Sequence, residues 1–147
     1  MRRVLPPDWF LVAVLLSVIL HLVVPLKRVL SFPWCAAGLV PVAAGVWLNL
    51  AADRAFKRSG TVVSPFETPF RLVTGGVFRI SRHPMYLGMV LILLGVALLL
   101  GSVTPFAVPV MFGLLVERLF VGQEEQTLQR QFADDYLRYR RRVRKWI

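Results

Sequence analysis

From Met85 to Val121 the chain runs for 37 residues with a single acid and a single base, Glu117 and Arg118, both near the end of the stretch. A run of this kind has to bury its surface in a large core or in lipid. A transmembrane helix takes about 20 residues, so the run has the length of two. "GSVTP", residues 101–105, supplies the break, with Thr104-Pro105 starting the second helix. A tight helical hairpin is the expected outcome.

Two further apolar runs precede it. The first, Trp9 to Val24, is opened by Pro6, Pro7 and Asp8 and closed by Pro25. It is somewhat short for a span, but no small-residue cleavage site follows and the flank "PLKRVL" is basic, which argues against a removed signal peptide. The second runs from Pro33 to Ala52. Spans are therefore expected at about 9–24, 33–52, 85–101 and 104–121. Of the 147 residues 56% are hydrophobic, and the mean hydropathy is +0.63. Such a chain is too apolar for an ordinary soluble domain and suits one all-α integral membrane domain over 1–147. Gly38, Gly45 and Ala52 recur seven apart on the second span, and Gly88, Gly95 and Ser102 do so on the third. Small-residue stripes of this kind let helices approach closely in lipid.

The formal net charge of +10 resembles a nucleic-acid signal until its placement is considered. Lys27 and Arg28 are the only basic residues in the first connection, and none lies between Pro84 and Glu117. With four spans, 16 basic residues fall on one side and 2 on the other. This asymmetry is the positive-inside pattern, so both termini are expected in the cytosol, at an inner or plasma membrane. The charge then reports topology and contact with anionic lipid, and no nucleic-acid partner is expected. Cys35 is the only cysteine, which excludes an intrachain disulfide or a cysteine-based metal site. His21 reads as an interfacial residue. His21 and His83 belong to opposite membrane faces, so no metal site is expected.

Residues 53–84 form a long cytosolic connection with apolar content (Phe56, Val62, Val63, Phe66, Phe70, Leu72, Val73, Val77, Phe78), broken by Pro65, Pro69 and Gly75-Gly76. Ordered loops of this length are uncommon and often functional. The tail, 123–147, carries Leu128, Phe132, Tyr136, Tyr139, Val143 and Trp146 at helical spacing. That is an amphipathic helix suited to lying against the membrane or against the chain's own loops.

Chemistry concentrates where the third span begins. In "RISRHPMYLG" the helix is expected to start with His83 as its N-cap and Pro84 at its first position, which points free N–H groups and the positive dipole end at the cytosol. Arg79, Arg82 and His83 add donors there, and Tyr86 adds an aromatic face one turn in. A snorkelling basic cap gives the same local pattern. Glu117, Glu124 and Glu125 stand at the cytosolic end of the last span, where they serve equally as solvated first-turn charges or as the acidic half of a site. The hairpin brings the two clusters to one level, which suits a ligand of mixed charge.

"RHPMYLG" followed about 35 residues later by "EEQTLQRQFADDYLRYRRRVRKWI" resembles the membrane methyltransferases related to isoprenylcysteine carboxyl methyltransferase and the phospholipid methyltransferases. Arg82, His83, Pro84, Tyr86 and Gly88 match the first element of their pattern. Glu124, Glu125 and Leu128 match the second, and Phe132, Tyr136, Tyr139 and Trp146 the third. The likeness covers the C-terminal half and reaches back to Gly76, while the first two spans resemble the family only in general character. Lys145 stands where the family commonly has arginine.

The resemblance implies S-adenosyl-L-methionine as cofactor, with His83, Pro84, Tyr86, Gly88, Glu124 and Glu125 around it. It implies methyl transfer to a lipophilic or small acceptor, with Arg79, Arg82 and Glu125 as candidates for catalytic roles. The chain has no glycine-rich dinucleotide loop and no room for a Rossmann domain. Two other readings use the same motif shell: a relative of the NADPH-dependent sterol-type membrane reductases, and a non-catalytic membrane scaffold.

Overall fold

The computed structural model describes residues 5–24, 26–60 and 71–147. Arg2, Arg3, Pro25 and the 61–70 part of the long connection, with Val62, Val63, Pro65, Phe66, Pro69 and Phe70, lie outside them. The described residues form five α-helices joined by short 3-10 and π turns, with no strand among them. Helix α1 is Pro6–Val23, α2 is Leu39–Ser59, α3 is Pro84–Leu100, α4 is Ala107–Val116 and α5 is Gly122–Arg142. Three helical stretches are long and apolar enough to cross a membrane: Pro6–Val23, Trp34–Ser59 and Thr104–Arg142. The chain is a membrane protein.

Local sequence explains where the helices start and stop. Pro6 and Pro7 occupy the first turn of α1, and the Asp8 carboxylate accepts the Leu5 N–H at 2.8 Å. Gly60 ends α2 and Gly101 ends α3, both at positive φ, the conformation that favours glycine. A side chain on Gly101 would also collide with the Leu30 carbonyl. His83 is the N-cap of α3 and Pro84 its first residue, as the sequence implies.

Helix α3 is 17 residues long, or about 25 Å. It lies at the centre, packed against α1, α2 and α4. Being surrounded explains why it is apolar on every side. Its closest neighbour is α2, not its hairpin partner. The two small-residue stripes meet each other: a Cβ on Gly38 would sit 2.5 Å from the Gly95 carbonyl oxygen, and one on Gly45 would strike the carbonyl of Gly88. Asn49 belongs to this contact, with its side-chain amide against Gly88 and donating to the Gly45 carbonyl at 2.9 Å. Large apolar side chains on α1, α2 and α4, such as Leu15, Val40, Trp47, Val110 and Leu114, point outward and remain exposed. They suit contact with lipid.

The end of the bundle carrying Lys27 and Arg28 is pinned by backbone bonds. Val29 and Leu30 donate to the Gly101 carbonyl at 2.9 and 3.1 Å, and Val103 donates to Lys27 at 3.3 Å. His21 meets Ser102 there, Nδ1 to Oγ 2.8 Å. Ser102 thus serves this end rather than the glycine contact.

At the opposite end the last span does not stop. A π turn, Glu117–Val121, leads into α5, whose helical geometry breaks at Ala133 (φ 38°, ψ −110°). Beyond the break Tyr136, Tyr139 and Val143 are buried against Leu48, Ala52, Val77, Phe78 and Leu87, with Leu128, Phe132 and Trp146 beside them. The apolar stripe of the tail therefore packs on the chain's own connection and on α2. The connection is ordered here by Phe78, which is buried and meets the Phe56 ring edge-on at 5.1 Å.

Candidate functional site

Three short segments converge at this end: residues 81–86 at the start of α3, 117–125 across the π turn, and 144–146 at the C-terminus. Their order begins with a serine. Ser81 is fully buried; its Oγ accepts the His83 N–H at 3.1 Å and donates to the Lys145 carbonyl at 3.0 Å. The Arg82 N–H donates to the Arg144 carbonyl at 3.1 Å. The C-terminal segment is thereby laid along the entrance to α3.

On this frame Arg82 and His83 face Glu124 and Glu125. Arg82 Nη1 lies 2.7 Å from Glu125 Oε1, with side-chain exposures of 7% and 13%. The same oxygen is 3.3 Å from His83 Nε2. His83 Nδ1 is 3.6 Å from Glu124 Oε2, an ion-pair separation rather than a hydrogen bond. Arg82 Nη1 also donates to the Tyr136 hydroxyl at 3.1 Å. Tyr86 stands beside His83, ring centroids 5.9 Å apart, and stacks on Phe120 at 6.5 Å.

Glu117 is held from the other side. It accepts Lys145 Nζ at 2.5 Å and the Trp146 indole N–H at 3.2 Å. Lys145 also reaches toward Glu125, at 3.8 Å. Glu117 opens the π turn, a local widening of the helix found frequently at functional sites.

The charges tune one another. Burial alone would lower the His83 pKa, but the adjoining Glu124 and Glu125 carboxylates outweigh it and raise the value above 6.5. Burial alone would raise that of Glu125; the hydrogen bond from His83 and the charges of Arg82 and Lys145 outweigh it and hold the carboxylate below its ordinary 4.5. His83 is thus a cation over more of the pH range, and Glu125 an anion.

Of the residues singled out in the sequence, Arg82, His83, Tyr86, Glu124 and Glu125 come together. Pro84 is fully buried at the helix start, and Gly88 faces Gly45 and Asn49 in the α2–α3 contact. Arg79 does not join them. It is exposed at the end of the 3-10 turn Gly76–Arg79 and lines a separate groove. Sequence reasoning missed Ser81 and the partners of Glu117. The signal for Ser81 was a hydroxyl two residues before an N-cap, a common turn arrangement. Lys145 and Trp146 stand in the family pattern above, but nothing in the sequence ties them to Glu117. Among the described residues no group of three His, Cys, Asp or Glu side chains forms a metal cage.

Comparison with known proteins bears on this geometry. The phospholipid methyltransferase family model matches residues 33–135, most of the chain, including the 81–86 and 117–125 segments of the site. The chain belongs to the phospholipid methyltransferase family. This is a membrane methyltransferase family, and two of its curated relatives act on isoprenylcysteine by name. Protein-S-isoprenylcysteine O-methyltransferase A of Arabidopsis thaliana is 31% identical over 136 residues, covering 84% of this chain and 68% of that enzyme. Protein-S-isoprenylcysteine O-methyltransferase of Schizosaccharomyces pombe is 36% identical over 88 residues. That match takes in 58% of this chain and 36% of the yeast enzyme, so the chain spans about a third of that relative. An uncharacterized protein of Haemophilus influenzae is 36% identical over 63 residues, all of that protein and 43% of this chain. No solved structure matches.

The groups of the cluster can be set against those of a methionine-type cofactor. Arg82 Nε is buried and has no partner among the described residues, an unused donor beside the Glu125 pair. Glu124 is the more exposed of the two adjacent carboxylates and the more loosely held. The Tyr86 and Phe120 rings supply aromatic faces for a sulfonium. A donor short of an acceptor, a carboxylate short of a close cation and an aromatic wall fit a zwitterion that also carries a sulfonium.

Proposed function

We propose that the chain is an S-adenosyl-L-methionine-dependent methyltransferase that works at the cytosolic membrane surface on a lipophilic or small acceptor bearing a carboxylate, amine or thiol. The observation that carries this reading is the Arg82–Glu125–His83 cluster, in which one carboxylate oxygen serves both cations while Arg82 Nε keeps a free donor. Sixteen basic residues on the side of this cluster support a cytosolic site with both termini inside.

Glu124, with help from Glu125, holds the ammonium of the cofactor, and Arg82 with the first turn of α3 holds its carboxylate. Tyr86 faces the sulfonium, a contact worth about 0.5–2 kcal/mol. The bound cofactor supplies an electrophilic methyl group. The chain then aligns the acceptor in line with it and keeps water away, and alignment is most of what this displacement needs. A carboxylate or thiolate acceptor requires no base. An amine acceptor would need a base, a role for His83 or a glutamate of the cluster. The connection to the bilayer suits an acceptor with an apolar stem, delivered between the helices rather than from bulk water.

Titration calorimetry with S-adenosylhomocysteine on the detergent-purified chain tests the cofactor site. The wild type is expected to bind, and His83→Ala and Glu125→Ala to bind at least tenfold more weakly. Undiminished binding in both variants would sink the site.

A further inference from the structure

Methyl transfer leaves Arg79 without a task. The arginine opens instead into a groove of about 740 Å³ between the 72–79 segment and the last turns of α5. Thr74 stands with Arg79 on the first bank; Arg138, Tyr139 and Arg142 form the second. The banks are fixed to each other by buried groups. Tyr139 donates its hydroxyl hydrogen bond to the Phe78 carbonyl at 2.7 Å, and Phe78 itself is buried. Phe78 adjoins Arg79 in sequence, and Tyr139 lies between Arg138 and Arg142 in sequence, buried where they are exposed.

Three guanidinium groups from two elements are thus held around one space by a framework that does not depend on them. Among the described residues Asp135 is the only carboxylate in the lining, and it is engaged by Arg138 Nη2 at 2.6 Å. Among the described residues Arg79 and Arg142 have no carboxylate partner. Gathering like charges is unfavourable unless an anion sits among them. Forked guanidinium donors match the several oxygens of a phosphate better than the two of a carboxylate, and the Thr74 hydroxyl adds a neutral donor. Leu72 and Val143 give the groove apolar edges. The groove adjoins the segment that leads into α3, at the end of the bundle to which the charge asymmetry assigns the sixteen basic residues.

We propose that this groove is a phosphate-binding site distinct from the Arg82–Glu125 cluster, with which it shares no residue. The phosphate comes either from an anionic lipid headgroup at the membrane surface or from a soluble phosphate compound. The site requires no methyl transfer, and its test reads binding only, so its failure would leave the methyltransferase reading standing.

The test is native mass spectrometry of the full chain in neutral detergent, with phosphatidylglycerol in one arm and inorganic phosphate alone in the other. The variants are Arg79→Gln/Arg142→Gln and, as a charge-matched control, the exposed pair Arg130→Gln/Arg141→Gln. Wild type is expected to bind one probe or both, the groove pair at least tenfold more weakly, and the control pair within twofold of wild type. Loss confined to the lipid arm assigns the site to a headgroup, and loss in the phosphate arm to a soluble phosphate. Binding of neither probe, or equal losses in the groove and control pairs, would overturn the proposal. The melting temperature of each variant, expected to match wild type, separates lost binding from lost fold.

Discussion

The α2–α3 contact and the cluster at the entrance to α3 begin within five residues of each other, at Gly88 and His83, and are built by opposite means. In the contact, glycines let backbone meet backbone: Gly38 and Gly45 stand against Gly95 and Gly88, with the Asn49 amide packed on Gly88. In the cluster, side chains are everything, and each charge is answered by a residue far away in sequence. The first is intolerant of added volume. The second is sensitive to the loss of a partner. A charged entrance is thus mounted on a closely packed apolar joint, and substitutions at the two should fail differently.

The largest effect is expected at the joint. Gly45→Ile and Gly88→Ile place atoms where a backbone carbonyl stands, so both should lose most folded protein, as read by monodisperse yield in detergent. Gly113→Ala is the contrast: its added Cβ meets only Val90, at 3.8 Å, and stability should hold or rise by about 0.5–1 kcal/mol. If Gly45→Ile were as stable as Gly113→Ala, the close approach of the two helices would be refuted.

Next comes the cluster. Arg82→Met removes the shortest ion pair of Glu125, leaving His83 and Lys145, and should cost roughly 1.5–3 kcal/mol in thermal or denaturant unfolding. The double variant Arg82→Met/Glu125→Gln should cost less than the two singles together, the signature of two charges that answer each other.

The pH dependence is smaller and has a definite sign. His83 has a raised pKa, so its contribution is complete below its ordinary 6.5 and fades as pH rises through the folded value. Glu125 has a lowered pKa, so its contribution is complete above its ordinary 4.5 and fades as pH falls through the folded value. Stability from the pair should therefore be greatest between about pH 4.5 and 6.5 and decline above. His83→Gln should remove the alkaline decline. A decline of the same size in His83→Gln would place its cause elsewhere.

Smallest is the C-terminal latch. Glu117→Gln weakens a half-exposed pair with Lys145, worth less than about 1 kcal/mol. Its signature is local: faster hydrogen exchange at residues 144–146, with little change in α2 or α3.

The joint was more legible in the sequence than the cluster. Seven-residue spacing puts small residues on one face whatever surrounds them, although spacing could not say that the two stripes face each other. The helix start at His83-Pro84 was equally plain, because proline and an N-cap act locally. The cluster depends on the chain returning to itself. Glu117 meets Lys145 and Trp146 only because α5 breaks at Ala133, and alanine, a strong helix former, gives no warning of a break. Arg79 and Arg82 read as one patch, being three apart. The 3-10 turn ends between them, Ser81 turns inward, and the two arginines reach different sites.

Methyl transfer itself tests the central claim most directly. The purified chain, reconstituted with a native lipid extract and given methyl-labelled S-adenosyl-L-methionine, should place label in an extractable acceptor. Glu125→Gln, folded by its melting curve, should label at least a hundredfold more slowly. Equal labelling by Glu125→Gln and wild type, or none by either, would contradict the assignment of the Arg82–Glu125 cluster as the methyl-transfer site.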